Sequence, residues 1–223
     1  MGDRANMTEL QSYQLNSPSG LELTALNYGC RITRMSCPDS SGNRVNMVAG
    51  YDNPEKYLSD PHYLGGIVGR YSNRIKEGSF SLDGSKVQLP CNEDKHHLHG
   101  GNKGFDHRFW EVEEVNTDKS RGLRFKRISP HGEEGYPGNV RVRVEYTVPN
   151  DAMELQVTCD AETDSPTVIS LAQHSYFNFS GKFYENILGY ELQIDAEKYI
   201  PVKKSKIPTG EIWDVGGAAM DFR

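Results

Sequence analysis

Three histidines stand ahead of a glycine pair at 96–101, in the run His96-His97-Leu98-His99-Gly100-Gly101. Histidine is the one side chain whose unperturbed titration falls near neutrality, and paired glycines permit a tight turn with close backbone approach. On a strand His97 and His99 would share one face, which suits a metal ion. A metal site needs a third ligand at workable spacing, and the stretch through Trp110 supplies only Asp106 and His107. We therefore assign no metal and read His96 and His97 as surface residues. A second segment at 173–181 places His174 among Gln173, Ser175, Tyr176 and Asn178, beside Phe177 and Phe179. Oriented polar groups over an apolar floor are how a pocket for a polyhydroxylated small molecule is built. A third, VGRYSNRI at 68–75, offers Arg70, Asn73 and Arg74 as donors to hydroxyl or carboxylate oxygens. Taken alone it is better explained by a structural ion pair and a turn-stabilising asparagine. The SPHGEEGYPGNV loop at 129–140 carries Glu133 and Glu134. Paired carboxylates invite glycoside hydrolysis, but adjacent ones point apart, so these are read as structural or rim groups.

The elements that must position these loops are strands. Short alternating runs recur with turn residues between them, at 21–26, 80–82, 86–89, 109–115, 123–128, 140–148 and 155–159. In VRVRVEYTV at 140–148 the valines and Tyr146 fall on one face and Arg141, Arg143, Glu145 and Thr147 on the other, the signature of a half-buried antiparallel strand. Asp83-Gly84 between two such runs predicts a hairpin. An apolar strand is expected at 168–172, just before His174, and the aromatic GFDHRFWEV at 104–112 should run from a loop into a strand with its rings in the core. Helical patterning is confined to a short turn at 54–58, with Asp52 or Asn53 as cap and Pro54 at the first helical position. The fold class is all-β and the organisation a single domain over 1–223.

The formal net charge of -6 gives no electrostatic case for a nucleic-acid partner. Cys30, Cys37, Cys91 and Cys159 are irregularly spaced, which reads as free thiols in a reducing compartment. The first ten residues include Asp3, Arg4 and Glu9 and have no apolar core, unlike a signal peptide. No apolar run reaches the roughly 20 residues of a spanning helix. The expectation is a cytoplasmic protein with no membrane partner, as a monomer or weak dimer.

Taken in order, VGRYSNRI, LHGG, GFDHRFWEV, the SPHGEEGYPGNV loop and HSYFNFSG, followed by IPTGEI at 207–212 and AAMDFR at 218–223, resemble the signature series of the aldose 1-epimerases. The resemblance runs from near residue 20 to the end. It implies a large antiparallel β-sandwich of the galactose mutarotase-like type, and interconversion of the α and β anomers of free hexoses without cofactor or metal. It further implies that His174 is the general acid protonating the ring oxygen and His99 a second site histidine. Asn73 and Arg74 would contact the sugar, with Ser175 and Tyr176 lining the same pocket. Ring opening needs one acid and one base on opposite sides of the sugar, and each such group typically contributes about 10²–10⁴-fold.

The family's general base is a glutamate close to its C-terminus, and a further sugar-binding aspartate lies shortly after the AAMDFR-like stretch. Neither segment is among the 223 residues, so the expected fold is a sandwich lacking its last strands. Two alternatives follow: a non-catalytic sugar-binding short form, and a hexose-phosphate 1-epimerase in which Arg70 and Arg74 favour an anionic substrate.

Overall fold

A computed structural model describes residues 8–223, so the N-terminal Asp3 and Arg4 lie outside the described residues. Strands β1 (Ser12–Asn16), β2 (Glu22–Leu26), β3 (Ile32–Pro38) and β4 (Arg44–Asn46) form an antiparallel meander. Short strands β5 (Ile67–Val68), β6 (Arg74–Ile75), β7 (Ser79–Leu82), β8 (Ser85–Gln88) and β9 (His97–Leu98) come next. A second four-stranded meander consists of β10 (Glu111–Glu114), β11 (Ser120–Ser129), β12 (Val140–Pro149) and β13 (Gln156–Thr163). The chain continues through β14 (Ala172–Gln173), β15 (Lys198–Tyr199) and β16 (Trp213–Asp214).

The two meanders form a sandwich because their alternation supplies one apolar face each. Leu15, Leu23, Ala25 and Ile32 from the first share a core with Leu123, Phe125, Val142, Val144 and Tyr146 from the second. Along β12 every second residue from Val140 to Val148 is buried, as the period-2 pattern demands. Fully burying each such side chain contributes about 1.5–3 kcal/mol. Polar ties cross the same interface: the Tyr146 hydroxyl donates to the Cys30 carbonyl at 2.6 Å, and Ser17 Oγ to the Pro149 carbonyl at 2.8 Å. Phe105 and Trp110 of GFDHRFWEV lie in this core, as expected, while Phe109 is only half-buried.

The remaining turns form as their residues dictate. β7 and β8 pair around Asp83-Gly84, both with positive φ (48° and 78°), the backbone of a tight hairpin. Pro54–Ser59 is a 3₁₀ turn whose cap is Asn53, its side chain accepting from the Glu55 amide at 3.0 Å. One expected strand is largely absent: of 168–172 only Ala172 joins a ladder, pairing with Val68. Upstream, Ser170 is held instead by amide–carbonyl bonds to Arg70 and Ser72 and a parallel bridge to Tyr71. Among the described residues no helix is long and apolar enough to cross a membrane.

Candidate active site

His174 is delivered by β14. The strand pairs with β5, and the chain beyond it continues the register, with the His174 amide bonded to the Gly66 carbonyl at 2.8 Å and the Gly65 amide to the His174 carbonyl at 3.1 Å. The Gln173 side chain donates to the Gly65 carbonyl at 2.8 Å and accepts from the Ser175 amide at 2.8 Å, fixing the turn on both sides of the histidine.

His99 arrives from the β6–β9 ladder. β9 ends at Leu98, and His99 turns into the left-handed region (φ 50°), followed by Gly100 and Gly101 at 95° and 105°. A Cβ on Gly100 would collide with the Gly69 carbonyl, so this is a close approach that only glycine allows. His99 and Asn73 bind each other twice: the His99 amide donates to the Asn73 carbonyl, and the Asn73 amide donates to His99 Nδ1, each at 3.0 Å. With Nδ1 accepting, the proton of the neutral ring sits on Nε2. Burial, and then the neighbouring His174, push the His99 pKa down to about 4. His99 is neutral at neutral pH.

The two imidazoles meet edge-to-face, with ring centroids 5.1 Å apart. Tyr63 stands against both, at 4.8 Å from His99 and 5.7 Å from His174, and Tyr176 flanks His174 at 5.2 Å. The Tyr176 hydroxyl donates to the His62 carbonyl at 3.2 Å. Arg74 donates through Nε and Nη2 to the two oxygens of Glu93, and through Nη1 to Asn73 Oδ1 at 3.3 Å. Ser175 Oγ is buried without a hydrogen-bond partner among the described residues. His174, His99, Asn73, Arg74 and Tyr176 are thus linked by direct contacts, and Ser175 adjoins them in sequence.

Tyr63 and Glu93 carry no such signal in the sequence. Tyr63 has φ 59°, unusual for a bulky residue, and a buried network holds its loop. Arg31 Nη1 donates to Asp60 Oδ2 at 2.7 Å and to the Leu64 carbonyl at 2.9 Å, while Nη2 reaches Asp106 Oδ2 at 3.2 Å. The nearest sequence cue is Gly65-Gly66 immediately after the tyrosine and Leu64.

Several expectations need correcting. His96 and His97 are buried, not superficial. His97 bonds the Pro90 carbonyl through Nδ1 at 2.7 Å and the Tyr136 hydroxyl through Nε2 at 2.6 Å. It does not share a face with His99, because the backbone leaves the strand between them. Arg70 is also buried. It donates to the carbonyls of Ser129, Pro130, Pro137 and Gly138 and to Ser129 Oγ, and so acts as a clamp on the 129–138 loop. That removes one of the two arginines from the hexose-phosphate alternative.

The acidic pair is structural, as its adjacency suggested. Glu133 accepts from Arg127 at 2.8 and 2.9 Å and from Ser129. Burial alone would push its carboxyl up, but the bonds from Arg127 and Ser129 outweigh that and hold it below its ordinary value. Glu134 accepts from the amides of Asn102 and Lys103 at 2.8 and 3.2 Å, bracing the turn after His99. Among the described residues no group of three or more His, Cys, Asp or Glu side chains is placed to hold a metal ion. A groove of about 790 Å³ crosses β11, β12 and β13 between Arg141, Arg143 and Asp160 and is lined by neither His99 nor His174.

The histidine pair sits on adjoining short ladders of a β-sandwich. Residues 11–223 match the family model described as aldose 1-epimerase, and the chain belongs to that family. It is 41% identical over 96% of its length to galactose mutarotase from Bos taurus, and 32% identical over 94% to aldose 1-epimerase from Escherichia coli K12. Among solved structures, the galactose 1-epimerase of Lactobacillus acidophilus superposes on the whole chain with a TM-score of 0.84 at 28% identity, 64% of that structure being covered. The chain spans about 60% of the length of the curated relatives it matches.

Proposed function

We propose that this site interconverts the α and β anomers of free aldohexoses such as galactose and glucose by ring opening and reclosure. The observation that carries the reading is the edge-to-face pair of His99 and His174, one ring fixed in its neutral Nε2–H form. His174 is the general acid that delivers a proton to the ring oxygen. His99, neutral and held by Asn73, donates Nε2–H to a sugar oxygen and so orients the ring. Asn73, Arg74, Ser175 and Tyr176 line the pocket, and Tyr63 offers an aromatic face for the apolar side of the sugar. As the C1–O5 bond breaks, the ring oxygen takes the His174 proton and the anomeric hydroxyl gives up its own to water, leaving an aldehyde; rotation about C1–C2 exchanges its faces, and reclosure reverses both transfers.

A second reading rests on the base. No carboxylate among the described residues is hydrogen-bonded or ion-paired to His99 or His174. In that reading the chain binds hexose without turning it over. Titration of the chain with galactose, followed on the imidazole NMR signals, tests what both share. Saturable shifts of His99 and His174 are expected, and signals that stay fixed at high sugar refute both. We further infer one domain, a cytoplasmic location in keeping with four unpaired cysteines, and a monomer or weak dimer without a nucleic-acid partner.

A further inference from the structure

Arg74 is the arginine of VGRYSNRI that stays with the histidine pair. Its charge lowers the His99 pKa, and its Nη1 reaches the Asn73 side chain. Yet it is not a free cation. Glu93 takes Nε and Nη2 side by side, with Nη2 to Oε1 at 2.6 Å, the fork geometry that best fixes a guanidinium plane.

Glu93 itself rides on a rigid support. Its amide and carbonyl pair with the His96 carbonyl and amide at 3.1 and 2.9 Å, closing a tight turn in which Asp94 has φ 52°. The preceding Asn92 is locked to β9, its Oδ1 accepting from the Leu98 amide at 2.7 Å and its Nδ2 donating to the Leu98 and Gly101 carbonyls at 3.0 Å. The carboxylate is therefore presented from the turn that leads into β9, the strand whose far end carries His99. Lys206 is close enough to act on Glu93 as well.

We propose that Glu93 is a specificity-determining positioning residue, which fixes the Arg74 guanidinium beside Asn73 and cancels its charge so that the site takes neutral hexoses and rejects hexose phosphates. This rests on the hexose site proposed above. Without the carboxylate, Arg74 becomes an uncompensated cation beside Asn73 and loses its fixed plane, and the nearby Lys206 is no longer offset by Glu93.

The test is calorimetric titration of the full chain with galactose and with galactose 6-phosphate at low ionic strength, for the wild type, Glu93→Gln and Glu93→Asp. The wild type should prefer the neutral sugar. Glu93→Gln should bind the 6-phosphate more tightly on the order of tenfold and galactose several-fold more weakly, with the phosphate gain erased by salt. Glu93→Asp keeps the charge but is one methylene too short to hold both nitrogens from this backbone position, so it should lose galactose affinity while still rejecting the phosphate. An unchanged preference in Glu93→Gln overturns the proposal. If that variant is unfolded by circular dichroism, Glu93→Asp decides, and galactose affinity equal to wild type overturns it. Mutarotation by the wild type is measured alongside. No turnover with a shifted preference sinks the catalytic reading alone, whereas turnover with an unchanged preference sinks this one alone. Failure of the wild type to bind either sugar overturns both.

Discussion

The Asn73 amide points its hydrogen at Nδ1 of His99, 3.0 Å away, while the His99 amide returns a bond of equal length to the Asn73 carbonyl. The reciprocity fixes a tautomer as well as a position. Both residues adopt left-handed backbone, with φ of 66° at Asn73 and 50° at His99, so the pair is a built feature of the loop and not a chance contact.

The lowered His99 pKa has a consequence for stability. In the unfolded chain the ring titrates near 6.5, and in the fold near 4. Between those values the unfolded state binds more protons, so stability falls as pH drops from about 6.5 through about 4. His99→Asn, which tolerates left-handed backbone, should remove about 1–2 kcal/mol of that pH dependence, the full shift being discounted for partial solvation. Denaturant titrations of both proteins at pH 7 and pH 4.5 check this, and identical pH slopes would contradict it.

Gly100→Ala should disrupt the turn that carries His99, since its Cβ would strike the Gly69 carbonyl and its φ of 95° disfavours any side chain. The expected result is loss of the His99 and His174 sugar response with the sandwich still folded, seen as native strand content by circular dichroism. An unaltered response would mean that the close approach is not needed.

Arg31→Met should be severely destabilising. The guanidinium is fully buried between Asp60 and Asp106, and removing one partner of a buried ion pair typically costs about 3–5 kcal/mol. Chemical denaturation measures it. Because the network holds the Tyr63 loop, sugar affinity should fall in whatever fraction remains folded.

Tyr146→Phe leaves the Cys30 carbonyl without its buried donor. A loss of about 1–3 kcal/mol is expected from an unsatisfied buried acceptor, and a midpoint of unfolding indistinguishable from wild type would argue against the inter-sheet tie.

The sandwich was legible wherever a local rule decides the outcome. The β12 alternation, the Asp83-Gly84 hairpin and the Asn53 cap each depend on neighbours within a few residues, and all three form. What escaped depends on partners far along the chain. His97 is buried because Tyr136 bonds it, and Arg70 because the carbonyls at 129–138 surround it. Tyr63 enters the site on a loop pinned by Arg31, roughly thirty residues upstream, a relation no periodicity encodes. The motif wording located His99 and His174, but only the fold brings their rings together.

The most direct test of the account follows the optical rotation of freshly dissolved α-D-galactose with wild-type chain, with His174→Ala and with buffer alone. The account predicts faster approach to anomeric equilibrium with the wild type, and a rate lowered by about 10²–10⁴ when the general acid is removed. A folded wild-type protein that leaves the buffer rate unchanged, or a His174→Ala variant as fast as wild type, would contradict it.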